Sequence, residues 1–150
     1  MAALENNRII QIGIVVRDIE KTARMYAEMF GMEMPQIRQA FPNIVYRNTK
    51  PKVTARLCSF PMGEISLELI QPGEEDTSWK EYLDEHGEGV HHIGLMVDDL
   101  EKAYQVFYDK GIERRQYGGA GWGSYTIMDS KELGVLFNVK CAKPVEGDME

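Results

Sequence analysis

The sequence predicts an α+β domain built from two βαβββ modules. Three observations carry that prediction: a repeat at constant offset, a capped helix in each copy, and a change from helical to alternating apolar spacing after each helix. Residues 11–23 (Gln-Ile-Gly-Ile-Val-Val-Arg-Asp-Ile-Glu-Lys-Thr-Ala) align with residues 92–104 (His-Ile-Gly-Leu-Met-Val-Asp-Asp-Leu-Glu-Lys-Ala-Tyr) at an offset of 81. Ile12/Ile93, Gly13/Gly94, Val16/Val97, Asp18/Asp99, Glu20/Glu101 and Lys21/Lys102 are identical, more than a shared secondary structure alone produces.

Each copy opens with an apolar, β-branched run, residues 9–16 and 90–97, which suits a mostly buried strand. Asp18 and Asp99 stand where a helix N-cap belongs, with a carboxylate to accept from the free amides of the first turn. Ile19, Ala23, Tyr26 and Phe30 form one apolar stripe; Leu100, Ala103 or Tyr104, and Phe107 form the other. Gly31 and Gly111 follow as left-handed C-caps. Residues 44–48, 53–60 and 64–70 then alternate as three strands, and residues 113–117, 124–129 and 134–140 as three more. The glycine-rich stretch 118–123 is predicted as a loop. One domain over residues 1–150 is expected: module one at about 8–72, a connector with a helix at 73–88, module two at about 89–141, and an acidic tail at 142–150.

Composition narrows the function. A formal net charge of −7 argues against nucleic acid as the main partner, because phosphate binding needs a basic face. No apolar run is long enough for a membrane-spanning helix, and residues 1–8 carry no signal-peptide pattern. Cys58 and Cys141 form neither a disulfide framework nor a metal-ligand spacing, so two free thiols in a reducing cytoplasm are expected. A small molecule is the expected partner.

The pattern Gln-Ile-Gly-Ile-x-Val-x-Asp, a helix ending in Phe-Gly, a strand ending Leu-Glu-Leu, a second His-His-Ile-Gly-Leu-x-Val-Asp-Asp and a final Gly-Val-Leu-Phe resembles the vicinal oxygen chelate superfamily, in its glyoxalase I and methylmalonyl-CoA epimerase branch. The resemblance spans residues 8–141, and residues 87–99 are most similar to the epimerases. It implies that the mixed sheets of the two modules curl into one shared cup, and that two-fold pairing into a homodimer is to be expected. It also implies a divalent metal (zinc, nickel, cobalt, manganese or magnesium) held at Gln11, Glu68, His92 and Asn138. Strand parity agrees: if Leu67 and Leu69, Ile93 and Leu95, and Phe137 and Val139 pack under helices, then Glu68, His92 and Asn138 face the other way.

Asn138 stands where both relatives have a glutamate, so a ligand and a base are missing there. Glu68 is then the candidate catalytic base, in an isomerase- or lyase-type proton abstraction next to a carbonyl or thioester. The alternative is a metal-free cup that binds or sequesters a small molecule. Tyr46, Arg56, Trp122 and Tyr125 are the candidate substrate-binding residues; Arg56 would hold an anionic end of the substrate unless it is an ordinary strand-edge arginine. His91 is expected on the opposite face of its strand, as a hydrogen-bonded core histidine.

Overall fold

The computed structural model of the protein describes residues 2–40, 43–120 and 123–142. Its elements are β1 (Ile9–Val15), α1 (Ile19–Phe30), β2 (Arg38–Gln39), β3 (Ile44–Tyr46), β4 (Arg56–Met62), β5 (Ile65–Gln71), α2 (Ser78–His86), β6 (Gly89–Val97), α3 (Leu100–Tyr108), β7 (Arg114–Ala120), β8 (Gly123–Met128) and β9 (Leu136–Cys141). The α+β class follows from this order, and the strands form one mixed sheet.

Both repeat helices start as the sequence dictates. Asp18 accepts from the Lys21 amide and Asp99 from the Lys102 amide, each cap contributing about 1 kcal/mol. Gly31 ends α1 at φ 62°, where a side chain would be strained. The buried face of α1 is Ile19, Ala23 and Ala27, so the predicted stripe is shifted by one position at its end. Phe30 is 53% exposed and stacks on Tyr26 instead.

The strands run in the order β2-β4-β5-β1-β6-β9-β8-β7-β3. Antiparallel pairing of β1 with β6 joins the two copies; the parallel pairs β1–β5 and β6–β9 flank it symmetrically. Connectivity forces this sheet to curl. Eight inter-strand gaps of about 4.8 Å would hold the edge strands roughly 38 Å apart if the sheet were flat. Yet Gln39 of β2 and Ile44 of β3 are five residues apart in sequence, a reach of at most about 18 Å. The two edges must therefore approach each other, and the concave side becomes a cup.

The order of strands also corrects three expectations. Residues 44–46 form no ladder with the other strands of their own module; β3 crosses to the far edge and pairs with β7. Residues 118–120 are not loop but strand, with Gly118 opposite Ile44 and Tyr125. A side chain at Gly118 would come within 2.6 Å of the Asn43 carbonyl oxygen, which is why glycine serves where the two backbones meet. The predicted strand at 53–60 begins only at Arg56 and runs to Met62.

Helices cover the convex face. Under α1 lie Cys58, Phe60 and Leu69; under α3 lie Met128, Val139 and Cys141. Both cysteines are free and buried, in different clusters. A third cluster, with Val15, Leu57, Ile70, Ile127 and Leu136, belongs to the concave face and is plugged by Trp79 of α2. No described helix is long and apolar enough to cross a membrane.

Candidate functional site

Four polar side chains meet on the concave face because of the register of the central strands. Gly13 lies beside Glu68 on one flank and beside His92 on the other. Gly94 lies beside Asn138 on one flank and Gln11 on the other. Each half thus places its first-strand residue over the glycine of the other half. The glycines are required there: a Cβ at Gly13 would sit 2.1 Å from the His92 ring, and one at Gly94 would sit 2.9 Å from Gln11 Cβ. All four polar residues are buried, with exposures of 5% for Gln11, 7% for Glu68, 0% for His92 and 4% for Asn138.

The β1–β6 ladder carries two irregularities, which leave Ile10 and His91 as extra residues. They are equivalent in the repeat, standing at its constant offset from each other. The bulge takes His91 out of simple alternation. Its Nδ1 meets His92 Nδ1 at 2.8 Å and its Nε2 meets Ser78 Oγ at 2.9 Å. The core histidine expected from sequence therefore also buttresses the site.

These bonds have a direction. Gln11 Oε1 only accepts, so His92 Nε2, 2.9 Å away, donates to it. Burial depresses the proton affinity of both imidazoles, His91 to a pKa of about 3, so each is neutral and carries a single proton. His92 Nδ1 then accepts from His91 Nδ1, and His91 Nε2 accepts from the Ser78 hydroxyl. At the other end Gln11 Nε2 donates to Glu68 Oε2 at 3.4 Å. The chain runs from Ser78 through His91, His92 and Gln11 to Glu68.

Burial raises the proton affinity of Glu68; the opposing influence of Lys140, Arg38 and the Gln11 amide is smaller. Glu68 lines a small cavity of about 50 Å³ with Asn138, Lys140, Arg38, Tyr125 and Trp79 around it and Ala40, Ile44 and Leu57 as apolar wall. Three of these residues, Lys140, Arg38 and Trp79, were not anticipated. Lys140 was legible in principle, being two residues beyond Asn138 on the same strand face. Arg38 and Trp79 reach the cup through a two-residue strand and the connector helix, which periodicity does not place.

Of the expected substrate-binding residues, Tyr125 lines the cavity, its hydroxyl bound by Gln116 Nε2 at 3.1 Å and its proton affinity raised by burial. Arg56 does not face it. Cys58 and Phe60, of the same parity, pack under α1, and Arg56 pairs with Glu20 of that helix at 2.8 Å. Tyr46 is absent from the lining, and its hydroxyl accepts from Arg47 Nε at 3.2 Å. Trp122 lies outside the described residues.

A divalent ion does not fit this set of donors. Gln11 Oε1 and Glu68 Oε1 lie 2.9 and 3.7 Å from His92 Nε2, but Asn138 supplies only a neutral amide, and Glu68 is the single carboxylate among the four. Two cations, Lys140 and Arg38, share the lining, and a dication stripped of water needs surrounding negative charge rather than positive.

Comparison with known proteins places this geometry in context. Residues 10–126 match the family described as the Glyoxalase/Bleomycin resistance protein/Dioxygenase superfamily. An uncharacterised protein of Bacillus subtilis is 27% identical over 107 residues, 71% of this chain and 69% of that protein. A 4-hydroxyphenylpyruvate dioxygenase of Legionella pneumophila is 29% identical over 100 residues, 64% of this chain but only 26% of the dioxygenase. Among solved structures, a Streptomyces coelicolor methylmalonyl-CoA epimerase variant in complex with 2-nitronate-propionyl-CoA superposes with TM-score 0.66 at 26% identity, covering 94% of this chain and 98% of its own. The Mycobacterium tuberculosis methylmalonyl-CoA epimerase gives TM-score 0.64 at 18% identity, covering 96% and 93%.

Proposed function

The chain belongs to the Glyoxalase/Bleomycin resistance protein/Dioxygenase superfamily, and on that premise we propose that it is an isomerase- or lyase-type enzyme in which Glu68 moves a proton at the carbon next to a carbonyl or thioester group. The observation that carries this reading is a buried carboxylate of raised proton affinity lining a cavity on the concave face, with an apolar wall beside it. The likeness to the epimerase structures supports the same class of chemistry.

In its ionised form Glu68 takes the proton from the substrate carbon. The C–H electron pair becomes the second bond to the carbonyl carbon, and the carbonyl π pair moves onto oxygen. The Glu68 carboxyl then returns the proton, either to the neighbouring carbon, which is a rearrangement, or to the same carbon after the enolate turns, which is epimerisation. Gln11 holds the base by its Nε2–H, and the histidine chain keeps Gln11 oriented so that it donates to Glu68 rather than accepts. The apolar wall and Trp79 exclude water from the developing enolate. A homodimer in solution is part of the same reading, and gel filtration with light scattering decides it.

The test is hydrogen–deuterium exchange at carbon, followed by NMR in D₂O over short-chain 2-oxo acids and acyl thioesters. Exchange on one substrate class, lost in Glu68→Gln, is expected; full exchange retained in Glu68→Gln would remove Glu68 from its role. A second reading, binding without chemistry, is favoured by the way Gln11, His92 and Glu68 already bond one another. It predicts ligand binding with no exchange in the wild type.

A further inference from the structure

We infer that the cup is an anion site, which takes a short 2-oxo or 2-hydroxy carboxylate on Lys140 and Trp79 without a divalent ion. The inference rests on the proposed reading for its choice of cavity, not for turnover.

Charge gives the first reason. Lys140 lines the cup of a chain whose net charge is −7. Among the described residues no hydrogen bond or ion pair occupies the Lys140 ammonium. The fold does not demand a lysine there. Lys140 stands beside Met96 in the β6–β9 ladder, and the matching position of the first half, beside Val15, is the fully buried Ile70.

Unmatched polar atoms give the second reason, independent of charge. Trp79 Nε1 is a buried donor with no partner, and Asn138 Oδ1 is a buried acceptor with no partner; each residue is 4% exposed and lines the same cavity. Buried polar atoms are rarely left unpaired, because each lost bond costs about 1–3 kcal/mol. A carboxylate accepts from both Lys140 and Trp79. It leaves Asn138 Oδ1 needing a donor, which a 2-hydroxyl or the enol of a 2-oxo group supplies. The alkyl end of such an acid meets Ala40, Ile44 and Leu57. One ligand then matches the cation, both unpaired atoms and the apolar wall.

Calorimetry and thermal shift on the full chain test this, with 2-oxobutyrate, 2-hydroxybutyrate, the methyl ester of each, zinc and manganese as probes. At least one acid binds and stabilises, its ester binds about tenfold or more weakly, and neither metal stabilises. Lys140→Gln weakens the acid about tenfold and leaves the ester unchanged; Trp79→Phe, which keeps most of the ring and removes the donor, weakens the acid about fivefold. The double variant Asn138→Glu/Lys140→Val reverses the pattern, losing the acid and gaining zinc. Stabilisation of the wild type by zinc or manganese near one per chain overturns the inference. So does an ester that binds as tightly as its acid, or failure of both acids to bind at about 10 mM. These wild-type outcomes need no variant to fold. Acid binding without carbon exchange would sink the proposed enzymatic reading alone, while equal exchange on acid and ester would sink the anion site alone.

Discussion

The two halves of the molecule put the same backbone to different chemical use. In each, the first strand carries a polar residue, an apolar residue and a glycine, and the last strand places a side chain beside that glycine. The first half supplies Gln11 and Glu68, with Ile10 at its bulge and Ile70 two residues past Glu68. The second supplies His92 and Asn138, with His91 at its bulge and Lys140 two residues past Asn138. The acid sits in one half, with Arg38 beside it in the lining, and the buttressing imidazoles and Lys140 sit in the other. The difference teaches that the ladder fixes where four side chains meet, while their charge and proton affinity vary freely within it.

The largest expected effect separates Glu68 from its counterpart. Glu68→Gln lowers carbon exchange by about a thousandfold, whereas Asn138→Ala lowers it less than about tenfold; equal losses would erase the asymmetry. The sign on stability is opposite. Glu68 has a raised folded pKa, so its contribution is present below the ordinary value of 4.5 and is lost as pH rises through the folded value. Glu68→Gln therefore raises the melting temperature at neutral pH while it removes activity.

Next come the glycines. Gly13→Ala drives a methyl into the His92 ring, which Ser78, His91 and Gln11 hold in place, and costs about 3 kcal/mol in urea unfolding. Gly94→Ala meets Gln11 Cβ at 2.9 Å and costs about 1 kcal/mol. A reversed order would show that the histidine chain yields more easily than the opposite rung.

The bulge positions differ in titration. His91 falls from 6.5 unfolded to about 3 folded, so the stability it carries is intact above pH 6.5 and declines as pH falls toward 3. The slope from this one group approaches about 1.4 kcal/mol per pH unit, and His91→Phe flattens the urea-midpoint profile over that window. The symmetric Ile10 contributes no such slope. The smallest effect is expected at Arg56: its pair with Glu20 lies on the convex face at 38% and 62% side-chain exposure, and Arg56→Ala changes stability by about 0.5 kcal/mol or less and leaves ligand affinity unchanged.

Most of this architecture was legible in the chain because it is local or periodic. Asp18, Asp99 and Gly31 announce helix ends, and alternation through Leu67, Glu68 and Leu69 assigns faces without any tertiary information. What escaped depends on pairing between distant strands. β3 crosses to β7 because the curl brings the edges together, and no pattern within residues 44–46 records that. Arg56 stays open in sequence between the cup and the strand edge because the strand begins there, and its parity becomes evident only once Cys58 and Phe60 are seen beneath α1. His91 escaped alternation because a single extra residue is invisible until a ladder is drawn.

The matched bulges at Ile10 and His91 carry a further consequence. They show a two-fold axis running between β1 and β6 inside one polypeptide, the symmetry that two separate half-length chains would have on pairing. Two identical halves would have to duplicate every residue, so an acid or a lysine in one would recur in the other and the cup would carry no polarity from half to half. Joining the halves in a single gene lifts that constraint, and an acid can then face an ammonium across the cup. The covalent link is thus a precondition for a polarised pocket, and each half became free to specialise only by giving up its ability to serve as its own partner.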